Sequence, residues 1–207
     1  MEKQVDKSHY EFSRYVGIDR WASYHAQIKA VLERGPDSVL EIGVGDGVLR
    51  DYLKQHLSIN YRSLDIDPEL HPDIVGSVTA IPLPSESVDY VLAFEVLEHL
   101  PFETLPSAIK EIARIAKQGV IMSLPHFGPP VKFLLKLPFL PEIRFAWKIP
   151  FFKRHVFNGE HYWEIGEKGY PTGVIREVLG EHFVIVQEFI PFENQYHHFF
   201  VLAKRSV

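Results

Sequence analysis

The stretch Glu41-Ile42-Gly43-Val44-Gly45-Asp46-Gly47 has the residue types of a ligand-binding loop. Its glycines let the backbone turn tightly and approach a bound molecule closely. Between a strand and a helix, such a loop also presents the N–H groups of the helix N-terminus. Asp65 stands nineteen positions beyond Asp46, where the next strand should end, and a carboxylate there can accept both ribose hydroxyl hydrogens. Together they imply a nucleoside-containing cofactor. The nicotinamide fingerprint wants glycine at its sixth loop position, and Val48 stands there. Glu41, two residues before the first glycine, would repel a pyrophosphate. It suits the ammonium and sulfonium of S-adenosylmethionine instead.

Glu95, Glu98 and His99 follow at i, i+3 and i+4, a spacing that converges if the segment begins a helix or turn. Two carboxylates and an imidazole can hold a divalent cation such as Mg2+, with His161 as a fourth ligand. The same segment can also pack without metal, with Glu95 beside the cofactor and His99 against the strand end. Glu98 and His99 are candidates for proton transfer. So is His126, which follows an apolar run and has a side chain that ordinarily titrates near neutrality. His197-His198 reads as strand residues pointing to opposite faces.

The elements that must position these residues are legible from periodicity. Residues 8–34 have helix-like apolar spacing with a turn near Gly17, and Gly35-Pro36-Asp37 ends that segment. Strands are expected over 38–42, 61–66, 73–75, 88–94 and 119–124, with helices over 48–57 and about 103–116. This alternation predicts a doubly wound α/β sheet. Residues 125–157 are rich in prolines, aromatics and bases and show no clear period. A helix over 171–181 and alternating strands over 183–189 and 196–204 complete the sheet. The expected organisation is one domain over 1–207. It comprises a helical cap (1–35), a cofactor-binding core (36–125), a lid insertion (126–160) and the C-terminal part of the sheet (161–207).

The chain has 207 residues, a formal net charge of -5 and no cysteine. The length suits one hydrophobic core, and thiolate and disulfide chemistry are excluded. The acidic balance gives no general attraction to nucleic acid. No run approaches the ~18 apolar residues of a membrane helix, and the first ten residues lack a signal-peptide core. A cytoplasmic location is expected.

The sequence resembles the class I S-adenosylmethionine-dependent methyltransferases, especially their small-molecule "type 11" branch. Val39 to Gly47 is similar to the first motif of that family, and Leu64-Asp65-Ile66-Asp67 to the second. Gly76 to Pro84, followed by Ser87 to Val91, is similar to the third. Phe94 to Leu100 resembles the segment after the fourth strand. The resemblance covers about residues 36–125. It implies a seven-stranded Rossmann-like sheet of order 3-2-1-4-5-7-6 with strand 7 antiparallel. It also implies that Glu41, Gly43, Gly45, Asp46, Gly47, Asp65, Ile66, Ser77, Val78 and Glu95 bind the cofactor. Relatives often carry Asp at the Ser77 place, so adenine falls to the Ser77 hydroxyl or the Val78 backbone. Glu95-x-x-Glu98-His99 with a distant His161 also resembles the metal site of O-methyltransferases acting on adjacent hydroxyls.

Residues 131–155 carry six bases, one acid and interleaved aromatics, including Phe151 and Phe152. As a lid they suit an anionic or lipid-linked small-molecule acceptor. Arg20, Trp21 and Tyr24 are expected to close the other side. Methyl transfer to oxygen or nitrogen of a small molecule, a sugar or a lipid-linked precursor among the candidates, is the expected activity. An RNA methyltransferase and a non-catalytic adenosylmethionine-binding module are the alternatives. The oligomeric state is not encoded in any feature of the sequence.

Overall fold

The computed structural model describes residues 15–150, 153–157 and 159–205. The expected helical residues 8–14 and the lid aromatics Phe151 and Phe152 lie outside them.

Helix α1, Ile18–Arg34, is amphipathic and buries Tyr24, Ala30 and Val31. Gly35, at φ 57°, ends it in the left-handed conformation and returns its N–H to Val31 O, a glycine C-cap. Strand β1, Ser38–Ile42, leads through the glycine loop into helix α2, Val48–His56. Strand β2 is Asn60–Asp65, β3 is Ile74–Val75 and β4 is Val88–Phe94. Helix α3, Leu105–Ile115, precedes β5, Ala116–Pro125. A ribbon of β6, Pro130–Leu135, and β7, Ile143–Lys148, comes next. Helix α4, Thr172–Gly180, and strands β8, Phe183–Phe189, and β9, His197–Lys204, finish the chain.

The main sheet has the order β3-β2-β1-β4-β5-β9-β8. Its first five strands are parallel, and β9 runs antiparallel to both β5 and β8. Counted without the ribbon, this is the expected Rossmann-like methyltransferase order with an antiparallel seventh strand. Helices α3 and α4 cover one face, where Ile109, Ile112, Ile175, Leu179 and Trp163 are fully buried. Helices α1 and α2 cover the other through Ala30, Val31, Leu49 and Leu53. The central strands β4 and β5 are buried on both faces over most of their length, so they read as near-continuous apolar runs.

Two local expectations need correction. Residues 125–157 are not irregular throughout, because β6 and β7 pair antiparallel from Pro130↔Lys148 to Leu135↔Ile143. Leu134 and Ala146 sit on the face otherwise holding Lys132, Arg144 and Lys148, and they blur the strand alternation in sequence. The segment from Glu95 to His99 is also not a helix start as a whole. A short 3-10 turn spans Leu97–His99, and Glu95 precedes it at φ 54°.

The β5–β9 ladder tolerates no side chain at Gly119. A Cβ there would lie 1.9 Å from Leu202 O. Gly119→Ala should therefore lower stability by about 3 kcal/mol or more, read as a fall in the urea midpoint at unchanged m-value.

Candidate active site

The parallel strands all end along one edge, and the candidate residues gather there. In the glycine loop Gly43, Gly45 and Gly47 have φ of 80°, 55° and 77°, values that favour glycine. A Cβ on Gly43 would also lie 2.3 Å from Val96 Cγ2. Gly43 N–H donates to Leu64 O over 2.9 Å, tying the loop to β2. Gly47 is the N-cap of α2 and offers no side chain, so the first-turn amides face the loop side. Asp46 accepts from Val48 N–H at 3.2 Å and from the Tyr24 hydroxyl. Helix α1 is thereby pinned to the loop.

Asp65 bridges the same region. One of its carboxylate oxygens accepts from Val44 N–H and the other from Asp67 N–H, both at 2.9 Å. Each oxygen keeps a further lone pair for a ribose hydroxyl. Ile66 beside it is half-buried. Ser77 Oγ lies 2.8 Å from Thr79 Oγ1 and accepts from Thr79 N–H. Val78 packs its side chain into the core, leaving its backbone as the part that can meet a base. Glu41 is buried beneath the loop and accepts from the Tyr61 hydroxyl. Burial pushes its carboxyl up to about 8, against the pull of Tyr61 and Arg50. Its carboxyl therefore lies below the loop and away from open solvent.

Beyond β4, acidic and imidazole groups converge. Glu98 is fully buried, and neither of its carboxylate oxygens has a hydrogen-bond partner. Burial, with Glu95 adding repulsion, raises its carboxyl well above the ordinary range. Ligand atoms of Glu98, His99 and His161 lie within 4.8 Å of one another. The loop that brings His161 here is stitched down by Tyr162 N–H to Glu98 O at 2.9 Å and Trp163 Nε1–H to Leu100 O at 3.0 Å. His99 Nδ1 donates to Glu160 O at 2.9 Å, which leaves the lone pair on Nε2. His161 Nδ1 lies 2.9 Å from Glu164 Oε1, an orientation common behind metal-binding histidines. Burial would raise Glu164, but its bonds to His161 and Tyr196 hold it below the ordinary range.

Glu95 stands beside this trio rather than in it. Its Oε2 is 3.6 Å from His197 Nε2, and its buried Oε1 has no partner. Burial raises its carboxyl to about 8. So three of the four expected metal-ligating residues come together, and the left-handed backbone at Glu95 turns the fourth toward His197. Tyr61, Glu164, Tyr196 and Asn194 were not foreseen as functional residues. Only Glu164, three residues after His161, had a readable signal. Asn194 Nδ2 donates to Ser23 Oγ at 2.9 Å and holds α1 over the edge.

His126 follows β5 as expected, but its ring turns to the α4 face. Its Nδ1 is 2.9 Å from His198 Nδ1, and His198 Nε2 is 2.8 Å from Glu188, which Arg176 also holds. With His198 Nε2–H donating to Glu188, His198 Nδ1 accepts from His126, whose lone pair is then on Nε2. A cavity of about 430 Å³ opens there, lined in part by His126, Lys148, Gly166, Lys168 and Thr172. Burial, Lys148 and His198 lower His126 to about 3, which makes it a weak base.

Residues 40–124 match a family model described as a methyltransferase domain. A comparison with curated proteins gives no match. Solved methyltransferases share the fold. One is the Burkholderia thailandensis 1,6-didemethyltoxoflavin-N1-methyltransferase, determined with 1,6-didemethyltoxoflavin and S-adenosylhomocysteine. It is 16% identical with a TM-score of 0.66, over 97% of this chain and 85% of that one. Another is the N-methyltransferase NodS of Bradyrhizobium japonicum WM9 with S-adenosylhomocysteine. It is 12% identical with a TM-score of 0.65, over 98% and 95% of the two chains. A methyltransferase of Aquifex aeolicus is 15% identical with a TM-score of 0.61, over 97% and 100%.

The histidine pair formed by His126 and His198 bears on acid stability. Burial and its neighbours hold His126 near 3 and His198 near 4 in the fold, against about 6.5 when unfolded. His126 faces Lys148 and His198, and His198 faces Glu188, Arg176 and Lys148. Depressed imidazoles contribute stability above pH ~6.5 that is lost as the pH falls toward the folded values. The raised carboxyls of Glu41 and Glu95 act in the opposite sense, stabilising more as the pH falls, so the histidine contribution is read as a difference. Relative to wild type, His198→Asn should lose less unfolding free energy between pH 7 and 4.5, by about 2 kcal/mol, in paired urea titrations.

Proposed function

We propose that this protein is a class I S-adenosylmethionine-dependent methyltransferase acting on oxygen or nitrogen of a small-molecule acceptor. The observation that carries this reading is the Asp65 carboxylate bonded to Val44 N–H. It joins a ribose-binding acid to a loop of left-handed glycines at a helix N-terminus. The two neighbours determined with S-adenosylhomocysteine support the same cofactor. Adenosylmethionine supplies an activated methyl group on a sulfonium. The protein's residues then have to bind, align and desolvate. Asp65 takes the ribose hydroxyls, the Ser77–Val78 turn meets the adenine, and the α2 amides face the amino-acid carboxylate. Buried Glu41 and Glu95 favour the positive charge of the donor.

The acceptor sits between the β4 edge and the lid in this proposal. Its lone pair attacks the methyl carbon as the carbon–sulfur bond breaks, and any acceptor proton must leave. Glu98, His99 and His161 combine a buried, unpartnered carboxylate with two oriented imidazoles, a donor set that suits a transition-metal dication such as Mn2+ better than the Mg2+ expected from sequence. A cation there would lower the pKa of an acceptor hydroxyl, so the cluster favours oxygen as the acceptor atom. Without a cation, Glu98 and His99 would instead hold or pass the proton. His126 Nε2 suits accepting a hydrogen bond from the acceptor, and Lys148 and Lys168 suit an anionic group on it.

Isothermal titration should give heat with S-adenosylmethionine and none with NAD, and Asp65→Ala should weaken binding by roughly 100-fold. NAD binding without adenosylmethionine binding would falsify the reading. In a separate titration with Mn2+, Glu98→Gln should abolish stoichiometric metal binding while adenosylmethionine still binds. Metal binding unchanged in that variant removes the cation from the proposal.

A further inference from the structure

The β6–β7 ribbon shares no hydrogen-bonded ladder with the main sheet. Cross-strand partners in an antiparallel pair share a face, so its two faces follow from the register. One holds Lys132, Arg144 and Lys148, and all three are turned to the body of the protein. Lys132 Nζ donates to Glu193 O at 2.9 Å, Arg144 pairs with Glu193, and Lys148 donates to His126 O. Lys132 and Arg144 also lie 5.6 and 5.5 Å from the Phe192 ring centroid.

The opposite face is entirely apolar: Val131, Phe133, Leu135, Ile143, Phe145 and Trp147. Phe133 and Phe145 are 52% and 59% exposed, although Phe145 already touches Trp147. The turn adds Leu137 and Leu140, and Phe139 projects with no cover at all. A contiguous apolar patch at a projecting tip is not what a free aqueous surface selects. Its rim is predominantly basic: Lys136 is exposed at the tip, Lys153 and Arg154 are exposed near the base, and the one acid of the turn, Glu142, is paired with Arg144. This concentration of positive charge contrasts with the chain's net charge of -5.

We propose that this ribbon docks the protein onto an anionic lipid bilayer surface. The apolar face and Phe139 would enter the headgroup–acyl boundary, and the lysines would meet lipid phosphates. An apolar body with cationic ends is the chemistry that partitions to such an interface. A basic rim would be a liability in a contact between two copies, since it brings like charges together. Neighbouring the cavity beside His126, the ribbon would hold the crevice mouth at the lipid surface.

The test is co-sedimentation of the full chain with large vesicles of phosphatidylcholine alone, or with phosphatidylglycerol added to 30%. Binding is expected only to the anionic vesicles, falling with added salt. Phe139→Ser and Phe145→Ser together should abolish it, and Lys136→Glu should reduce it by roughly tenfold. Each variant is checked for S-adenosylmethionine binding in solution. This separates a misfolded variant, or failure of the methyltransferase reading, from failure of docking. Analytical ultracentrifugation runs in parallel. No sedimentation with anionic vesicles overturns the proposal. So does a dimer that the Phe139/Phe145 variant disperses, which would assign the face to a second copy. Equal binding by wild type and the Phe139/Phe145 variant also overturns it.

Discussion

The antiparallel ladder between β5 and β9 fixes where the chemistry of this protein can happen. It is packed so tightly at Gly119 that Leu202 O occupies the space of a side chain. Register follows from that contact, and a slip of one residue would exchange the faces of His197 and His198. As built, His197 meets Glu95 on the α1 side. His198 meets His126 and Glu188 on the α4 side. Two adjacent histidines therefore serve two different networks, separated by the thickness of one strand.

The crevice edge is also an electrostatic arrangement. Glu41 and Glu98 are buried, and Glu95 largely so, close to a site proposed for a cationic donor, and desolvation raises all three carboxyls. A carboxyl held near neutrality by burial can ionise when a positive ligand arrives, because the opposite charge restores what desolvation removed. The protein thus avoids the full repulsion of three fixed negative charges in the absence of ligand. Arg20, reaching from α1, partly offsets the acids at Glu95 and Glu98.

The half of the candidate site proposed to take the cofactor was legible in sequence because it depends on local chemistry. Glycines at positive φ, an acid at a strand end and an alternating strand–helix pattern are all written within short windows. Strand order and the antiparallel end followed from the family resemblance, and the sheet agrees. The acceptor half depends on contacts between distant segments. Glu98 could be suspected from spacing, but its burial could not. Tyr61 beneath Glu41, Tyr196 on Glu164 and Asn194 on Ser23 are pairings of remote residues that leave no local pattern. The ribbon was hidden for another reason. Leu134 and Ala146 interrupt its polar face, so the alternation that marks a strand was lost.

The ribbon's separate pairing has an evolutionary consequence. Its strands bond only to each other and touch the body through a few polar side chains. Changes in its length or composition leave the seven-stranded register intact. The two functions proposed above, donor binding at the sheet edge and docking through the ribbon, would therefore be free to drift at different rates within one gene. A lineage could change the ribbon while the glycine loop and its neighbours stay as they were.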